Sequence, residues 1–426
     1  MARAMKDSGI EWIGEIPEGW HLSRLGWCLD EIKEKNDPIK TTNVLSLTNK
    51  LGVIPYEEKG NQGNKAKEDY SQYGLAFENT LVINSMNVLI GSVGISKYYG
   101  CVSPVYYVFK NTDKADLRFI NYLFQNVGFQ KELRKYANGI LEIRLRISSH
   151  DMLRRIIPLP DIREQKSVCD YLDVECARID AVIEQTRVSI EEYKKLKQSV
   201  ITEAVTKGIR PGRRMVNSGV DWLGQIPDDW AVFRIANLYD ERNERGTEDL
   251  PILTVSINTG ISDHEIPDEE KDRVVVRSED RTLYKRVCPG DLAYNMMRAW
   301  QGAFGAARVD GMVSPAYVVA KPKTPGILDS RYVEALLRTP SAIEEMHRYS
   351  RGITDFRLRL YWPEFKNICV CVPSIKEQIE IADYIDAKAA EIDDLIQKKQ
   401  QFLVELESYK KTLIYEYVTG KKELIS

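Results

Sequence analysis

Two long stretches of the chain, 161–207 and 374–419, contain neither glycine nor proline. In the first, Ile179, Val182, Thr186, Ser189, Tyr193, Leu196 and Val200 step by three and four residues. In the second, Ile392, Leu395, Lys399, Phe402, Leu406, Tyr409 and Leu413 do the same. A period near 3.5 marks the seam of a coiled coil. Thr186, Ser189 and Lys399 interrupt it, so the seam is expected to be imperfect. The plainer reading is an amphipathic helix lying on its own globule; like stripes in both stretches favour pairing of the two helices. Elsewhere the pattern is short-range. Residues 44–47, 81–84, 105–109 and 156–159 are β-branched or aromatic runs bounded by Gly, Pro, Asn or Ser, as strands are. Residues 118–136 place Phe119, Ile120, Leu123 and Phe124 on one helical face, and 331–349 are predicted to form a matching helix.

The pattern is written twice. Ser8-Gly-Ile-Glu-Trp-Ile-Gly-Glu-Ile-Pro-Glu-Gly-Trp20 recurs as Ser218-Gly-Val-Asp-Trp-Leu-Gly-Gln-Ile-Pro-Asp-Asp-Trp230. Val102-Ser-Pro-Val-Tyr106 returns as Val313-Ser-Pro-Ala-Tyr317. Gly139, Arg144, Leu145 and Arg146 return as Gly352, Arg357, Leu358 and Arg359, and Pro160, Glu164, Gln165, Tyr171 and Asp173 as Pro373, Glu377, Gln378, Tyr384 and Asp386. A period of about 210 residues is far too long for a solenoid repeat. It implies two copies of one globule-plus-helix unit. The expected organisation is a globule at 1–160, a helix at 161–208, a second globule at 209–372 and a second helix at 373–426. The fold class is α+β: two similar mixed α/β domains joined by two long antiparallel coiled-coil helices, with pseudo-two-fold symmetry. A helix of this length spans roughly 65 Å, which predicts a dumbbell.

Composition narrows the function. The 426 residues include 60 basic and 63 acidic side chains, for a formal charge of −3. Residues 209–372 hold 23 basic residues, of which 18 are arginine, the cation suited to phosphates and guanines. Seven cysteines without a CxxC pair and four histidines argue against a disulfide framework or a zinc site. No apolar run approaches the ~20 residues of a membrane span, and no apolar signal core opens the chain, so a cytoplasmic protein is expected. No phosphate loop or dinucleotide fingerprint occurs. Ser103-Pro-Val-Tyr106 and Ser314-Pro-Ala-Tyr317 only superficially resemble the Pro-Pro-Tyr loop of amino-methyltransferases and suit a strand entry better. His21, His150, His264 and His347 have no repeat partners. The strings at 160–166 and 267–271 read as a helix opening and a charged loop rather than nuclease motifs.

Binding chemistry remains. Asn84 and Asn87, with the corresponding Asn295 and Arg298, sit at strand ends before Gly-x-x-Gly stretches. Lys97, Tyr98 and Tyr99 follow in the first copy; Trp300, Gln301 and Arg308 lie nearby in the second. Amide and cationic side chains read base edges, and aromatics pack on bases or sugars. Arg144 with Arg146, and Arg357 with Arg359, alternate on extended stretches, as a phosphate clamp would. Pairing with Glu142 or Asp355 is the plainer alternative.

Together these residues resemble the specificity subunits of type I restriction–modification systems, the HsdS family. The carriers are the two Gly-x-x-Trp-x-Gly-x-Ile-Pro-x-x-Trp entries, the paired Val-Ser-Pro blocks and the two Pro-x-x-x-Glu-Gln helix openings, and the resemblance covers the whole chain. It implies two target recognition domains, each reading half of a split, asymmetric double-stranded DNA sequence, and helices that measure the gap. It implies no catalysis in this chain. Two copies of an adenine-N6 methyltransferase subunit would carry S-adenosylmethionine, and a restriction/translocase subunit would carry ATP and Mg. The readings to set against it are a stand-alone adenine-N6 DNA methyltransferase with diverged motifs and a protein scaffold with no DNA role.

Overall fold

The computed structural model describes residues 3–48, 51–60, 69–139, 145–247, 249–257, 259–265, 283–352 and 358–424. The chain divides into two compact units. Unit 1 comprises Met1–Arg187 with Gln400–Ser426, and unit 2 comprises Val188–Lys399. The glycine- and proline-free stretches are helices, Ile162–Lys207 (the central helix) and Ile375–Val418 (the C-terminal helix). Each helix therefore contributes one half to each unit.

In unit 1 an inner antiparallel sheet is ordered Leu29–Ile32, Tyr106–Asn111, Leu81–Asn84, Val93–Ile95. Unit 2 repeats that order with Tyr239–Glu241, Tyr317–Pro322, Leu292–Asn295 and Phe304–Ala306. The way in and the way out of each globule are zipped together: His21–Arg24 pairs with Ile156–Leu159, and Ala231–Arg234 with Cys369–Val372. Outside these shared parts the units differ in how much sheet they build. Unit 1 has a second four-stranded sheet, Gly52–Pro55, Val44–Thr48, Gly100–Val102, Gly74–Ala76, whose middle pair is parallel. Among the described residues, unit 2 keeps that order in reduced form: Gly260–Ile261 pairs with Val255–Ser256, Gly311–Val313 with Lys285–Val287, and a single parallel bridge, Ile252 to Met312, joins the two pairs.

The single helix predicted over 118–136 is two, Leu117–Gln125 and Val127–Arg134. The break is at Asn126, whose Oδ1 accepts from the amides of Gly128 (2.7 Å) and Phe129 (3.2 Å). A carboxamide that caps a new helix competes with continuation of the old one. In unit 2 the corresponding break separates Ser330–Leu337 from Pro340–Tyr349. There Thr339 is the cap and Pro340 the first helical residue, where its missing N–H costs nothing.

Each Pro-x-x-x-Glu-Gln opening bolts a long helix to its globule. Gln165 is fully buried; its Oε1 accepts from Asp116 N at 2.9 Å, and its Nε2 donates to Lys114 O at 3.0 Å and Pro160 O at 2.9 Å. Gln378 makes the matching bonds to Asp329 N at 2.9 Å, Ile327 O at 3.1 Å and Pro373 O at 2.9 Å. The glutamate one residue earlier reaches the second tryptophan of the entry motif. Glu164 accepts from Trp20 Nε1 at 2.9 Å and Arg3 Nη1 at 2.6 Å. Glu377 accepts from Trp230 Nε1 at 3.3 Å and is gripped by both terminal nitrogens of Arg213. Arg118 forks to Asp116, Asp170 and Asp173, and Arg331 to Asp329, Asp383 and Asp386. The partners of the glutamine and of the helix arginine are all shifted by 213 residues, and Trp20 and Arg3 map to Trp230 and Arg213 at 210. Burying these polar groups is tolerable because each is satisfied.

Within each unit the two helix halves run antiparallel. In unit 1 Tyr171 meets Tyr417 with ring centroids 4.7 Å apart, Lys410 Nζ lies 2.7 Å from Asp180, and Arg187 lies 3.2 Å from Glu407. In unit 2 Lys197 lies 2.6 Å from Asp393, and Lys399 Nζ sits 5.5 Å from the Tyr193 ring centre. The expected seam needs correction at every second step. Ile179 is buried, but Val182 is 39% exposed while Ile183 is 6% exposed. Likewise Ile190 is buried rather than Ser189, and Leu196 is exposed while Lys197 is half-buried. On the C-terminal helix Ile392 and Leu413 are buried and Leu406 is half-buried, but Phe402 and Tyr409 are exposed, and Leu403 and Lys410 turn inward instead. Leu395 and Val200 are half-buried, beside Ile396 and Ile201. The physical reason is simple: positions i+3 and i+4 both lie near the face of position i, so a repeat can be read with its 3 and 4 steps interchanged. The partner helix decides which side is covered.

Candidate nucleic-acid interface

The shared sequence blocks that lie far apart along the chain meet at one place in each unit. In unit 1 the strand Leu81–Asn84 pairs Asn84 with Tyr106 of the Ser-Pro-x-Tyr block. Ser85 N donates to Val105 O at 3.1 Å, and Ile147 N donates to Ser85 O at 3.1 Å. In unit 2 Asn295 pairs with Tyr317, and Leu360 N donates to Met296 O at 2.8 Å. The Asn turn, the Ser-Pro-x-Tyr turn and the Arg segment are thus stitched side by side by backbone bonds.

The asparagines build the turns. Asn84 is buried, and its Oδ1 accepts from Met86 N at 3.1 Å and Asn87 N at 3.4 Å. Asn295 Oδ1 accepts from Met297 N at 3.0 Å. Short polar side chains that bond their own backbone two residues on are turn formers. The 3₁₀ turns that follow, Asn87–Ile90 and Ala299–Gln301, close on Gly91 (φ 83°) and Gly302 (φ 91°), in the left-handed region that glycine adopts without strain. The polar side chains these turns expose are Asn87 in unit 1 and Gln301 in unit 2, with Arg298 half-buried; Ile90 is exposed as well.

Arg146 and Arg359 stand on matching backbone bridges. Arg146 exchanges bonds with Asn138 at 2.8 and 2.9 Å, and Arg359 with Arg351 at 2.9 and 2.9 Å. Both side chains are exposed, and Arg146 Nη2 lies 3.7 Å from Met86 Sδ of the Asn turn. Arg144 and Arg357, together with Glu142 and Asp355, lie outside the described residues. Lys97 is exposed on the turn after the inner sheet. Tyr98 beside it is half-buried against the smaller core, and Tyr99 is exposed with its ring 5.5 Å from Phe77. Trp300 is engaged, donating Nε1 to Met297 O at 3.0 Å and packing edge-on to His347 at 5.5 Å. Arg308 is exposed.

One residue of interest was not singled out from the sequence. Trp27 is 56% exposed, with Arg24 6.0 Å and Lys114 5.9 Å from its ring centre. An exposed aromatic flanked by two cations suits a phosphate-bearing partner. Its repeat partner is Asn237, so the repeat gives no signal for it.

The chemistry available elsewhere is limited. The Ser-Pro-x-Tyr blocks are turns into a sheet strand, with Tyr106 N donating to Ser103 O and Tyr317 N to Ser314 O, both at 2.9 Å. Burial pushes the Cys176 thiol up to about 11 and Cys371 to about 12, so neither is a thiolate near neutrality. Among the described residues no group of acidic, His or Cys side chains is arranged to hold a metal ion, and no helix is long and apolar enough to cross a membrane.

No family model matches the chain. It is 26% identical to a putative type I restriction enzyme MjaX specificity subunit of Methanocaldococcus jannaschii, over 96% of this chain and 95% of that protein. It is 22% identical to the MjaVIII specificity subunit of the same organism, over 95% and 93%. Against the EcoBI specificity subunit of Escherichia coli it is 23% identical over 65% and 60%. Among solved structures, a chain from a study of complex assembly and conformational transition of the type I R-M system superposes with a TM-score of 0.69, at 14% identity over 96% of this chain and 99% of that one. The HsdS subunit of Thermoanaerobacter tengcongensis gives a TM-score of 0.55, at 14% identity over 98% and 100%. Over nearly its whole length the chain is thus similar to type I restriction enzyme specificity subunits, and it has the fold of HsdS structures, in agreement with its doubled entry, turn and helix-opening motifs.

Proposed function

We propose that this chain is the DNA-specificity subunit of a type I restriction–modification complex. Residues 1–160 and 209–372 are its two target recognition domains, each reading one half of a bipartite, asymmetric site. Residues 161–208 and 373–426 supply the long helices on which two copies of an adenine methyltransferase subunit and a restriction/translocase subunit assemble. Catalysis, with S-adenosylmethionine, ATP and Mg, belongs to those partners. One observation carries this reading: the two units share an inner scaffold down to individual hydrogen bonds, yet differ in the extent of the outer β-structure built on it, a four-stranded sheet in unit 1 and two short pairs joined by one bridge among the described residues of unit 2. A common frame with unlike outer surfaces is what reading two different half-sites requires. Side chains common to both units suit what both half-sites share, the sugar–phosphate backbone. We therefore assign Arg146 and Arg359, with Arg144 and Arg357, to phosphate contact. Asn87, Lys97, Tyr99, Gln301 and Arg308, which differ between units, are the candidates for base contact.

The test is a segment exchange. Replacing residues 20–160 with the matching segment of a relative, then mapping methylated adenines in a host carrying the intact system, changes one half of the methylated sequence and leaves the other. A change in both halves would refute independent reading. In the assembled complex, Arg146→Ala with Arg359→Ala should weaken binding to all sequences alike and lower the salt slope by about 1–2 units.

A further inference from the structure

The helix after the inner sheet differs between units at one position that matters. In unit 1 Tyr122 is buried, and its hydroxyl donates to Asp173 Oδ1 at 2.6 Å while Arg118 Nη1 holds Oδ2 at 2.9 Å. The corresponding residues 213 further on are Ala335, Asp386 and Arg331. Arg331 Nη1 still holds Asp386 Oδ2, at 3.1 Å. The phenol is gone, and among the described residues no donor reaches Asp386 Oδ1.

Where the ring would lie, unit 2 has a cleft of about 480 Å³ lined by Ala335 and Asp386. Its apolar wall is Ile201, Ile257 and Ile343. Its rim is cationic, with Lys194, Lys197 and Arg308. Lys194 and Lys197 already pair with Glu191 and Asp393, each within 2.7 Å. Arg308 makes no salt bridge among the described residues. Deeper in, Glu334 and Arg338 are locked to each other and to the backbone, through Ala306 N at 3.3 Å, Phe304 O at 3.0 Å and Ile257 O at 2.8 Å. The volume lies in the range that holds small ligands.

From these parts we infer that unit 2 carries a site for a mononucleotide with an amino-bearing base. The ring lies against the isoleucines in the space that Tyr122 fills in unit 1. The exocyclic amine donates to Asp386 Oδ1, replacing the missing phenol. The phosphate meets Arg308 at the mouth. An apolar wall, a carboxylate oxygen with no donor among the described residues and a guanidinium that makes no salt bridge among them are three separate requirements, and an amino-bearing purine nucleotide satisfies all three. This site does not require the DNA reading proposed above, but it shares Arg308 and Gln301 with it.

The experiment is calorimetric titration of the full-length protein with AMP, with IMP and inorganic phosphate as comparisons. IMP presents a carbonyl where AMP presents an amine, so it meets Asp386 with like polarity. The expected result is AMP binding below millimolar, IMP at least tenfold weaker, and no binding of phosphate alone. Ala335→Tyr, which copies unit 1, should abolish AMP binding and raise the melting temperature. Ala335→Phe should abolish binding with a smaller gain, since it fills the space without a donor. Absence of AMP binding at millimolar concentration, equal affinity for IMP, or an Ala335→Tyr protein that binds AMP like the parent overturns the proposal. Should the substituted chains not fold, the AMP and IMP comparison on the parent protein decides alone.

Discussion

The two helix anchors are built from the same parts but are not equally buried. In unit 2 Glu377 is almost inaccessible, and its partner Arg213 is nearly so, while Asp229 shares that arginine. In unit 1 the Glu164 side chain keeps 28% of its surface and Arg3 keeps 24%. Matching bonds to the glutamate thus sit in unlike dielectric surroundings. The cost of breaking an ion pair rises steeply with burial, because the abandoned partner cannot be rehydrated. Matching residues in a repeat need not have matching energetic weight.

That contrast can be broken directly. Glu377→Ala leaves the Trp230 N–H without its acceptor and Arg213 with Asp229 alone, and should destabilise unit 2 by about 3 kcal/mol. Glu164→Ala should cost only about 1–2 kcal/mol, because water reaches the site. Denaturant unfolding of both variants, followed by tryptophan fluorescence, makes the comparison; equal losses would mean burial does not set the weight. The next effect concerns the helices. Ile183→Ala removes a buried side chain and should cost about 2–4 kcal/mol, whereas Val182→Ala on the adjacent exposed position should stay within about 0.5 kcal/mol. Reversed values would restore the other register.

Smaller again is Tyr122→Phe, which strips the donor from Asp173 and should cost unit 1 about 1–2 kcal/mol. Tyr294→Phe in unit 2 should be the mildest. Its hydroxyl is fully buried without a hydrogen-bond partner among the described residues, and burial pushes the phenol well above its ordinary range. Removing it should be neutral or stabilising by up to about 1 kcal/mol. A loss beyond that, measured by thermal unfolding, would reveal a bonded water at the site.

These cases also show what the sequence discloses. The absence of Gly and Pro over two long windows located both long helices to within a residue or so, because nothing else so reliably ends a helix. The runs at 81–84 and 156–159 are strands Leu81–Asn84 and Ile156–Leu159. The break at Asn126 carries no mark in the sequence, because a carboxamide inside an amphipathic stretch looks like an ordinary polar position until its backbone partners are known. The seam was legible in period but not in phase, since phase depends on where the partner lies. At the candidate interface, Asn84 and Asn295 were placed at the correct strand ends. Their type alone, however, does not separate a turn former from a base reader. Trp27 escaped notice because exposure is a property of the fold, not of the residue.

The C-terminal helix ends on Gly420, packed against Pro17 and Trp20, and Lys421 bonds the backbone oxygen of Glu15. Leu413, Ile414, Tyr417 and Val418 belong to the same core as the entry tryptophan. Unit 1 is therefore begun by the ribosome first and finished after everything in unit 2 has been made. Until residues 400–424 emerge, the N-terminal globule waits with part of its apolar core uncovered. A message cut short at about residue 400 yields a chain that holds all of unit 2 but lacks the last segment of unit 1. Quality control would meet such a chain as an unfinished surface rather than as a shorter protein.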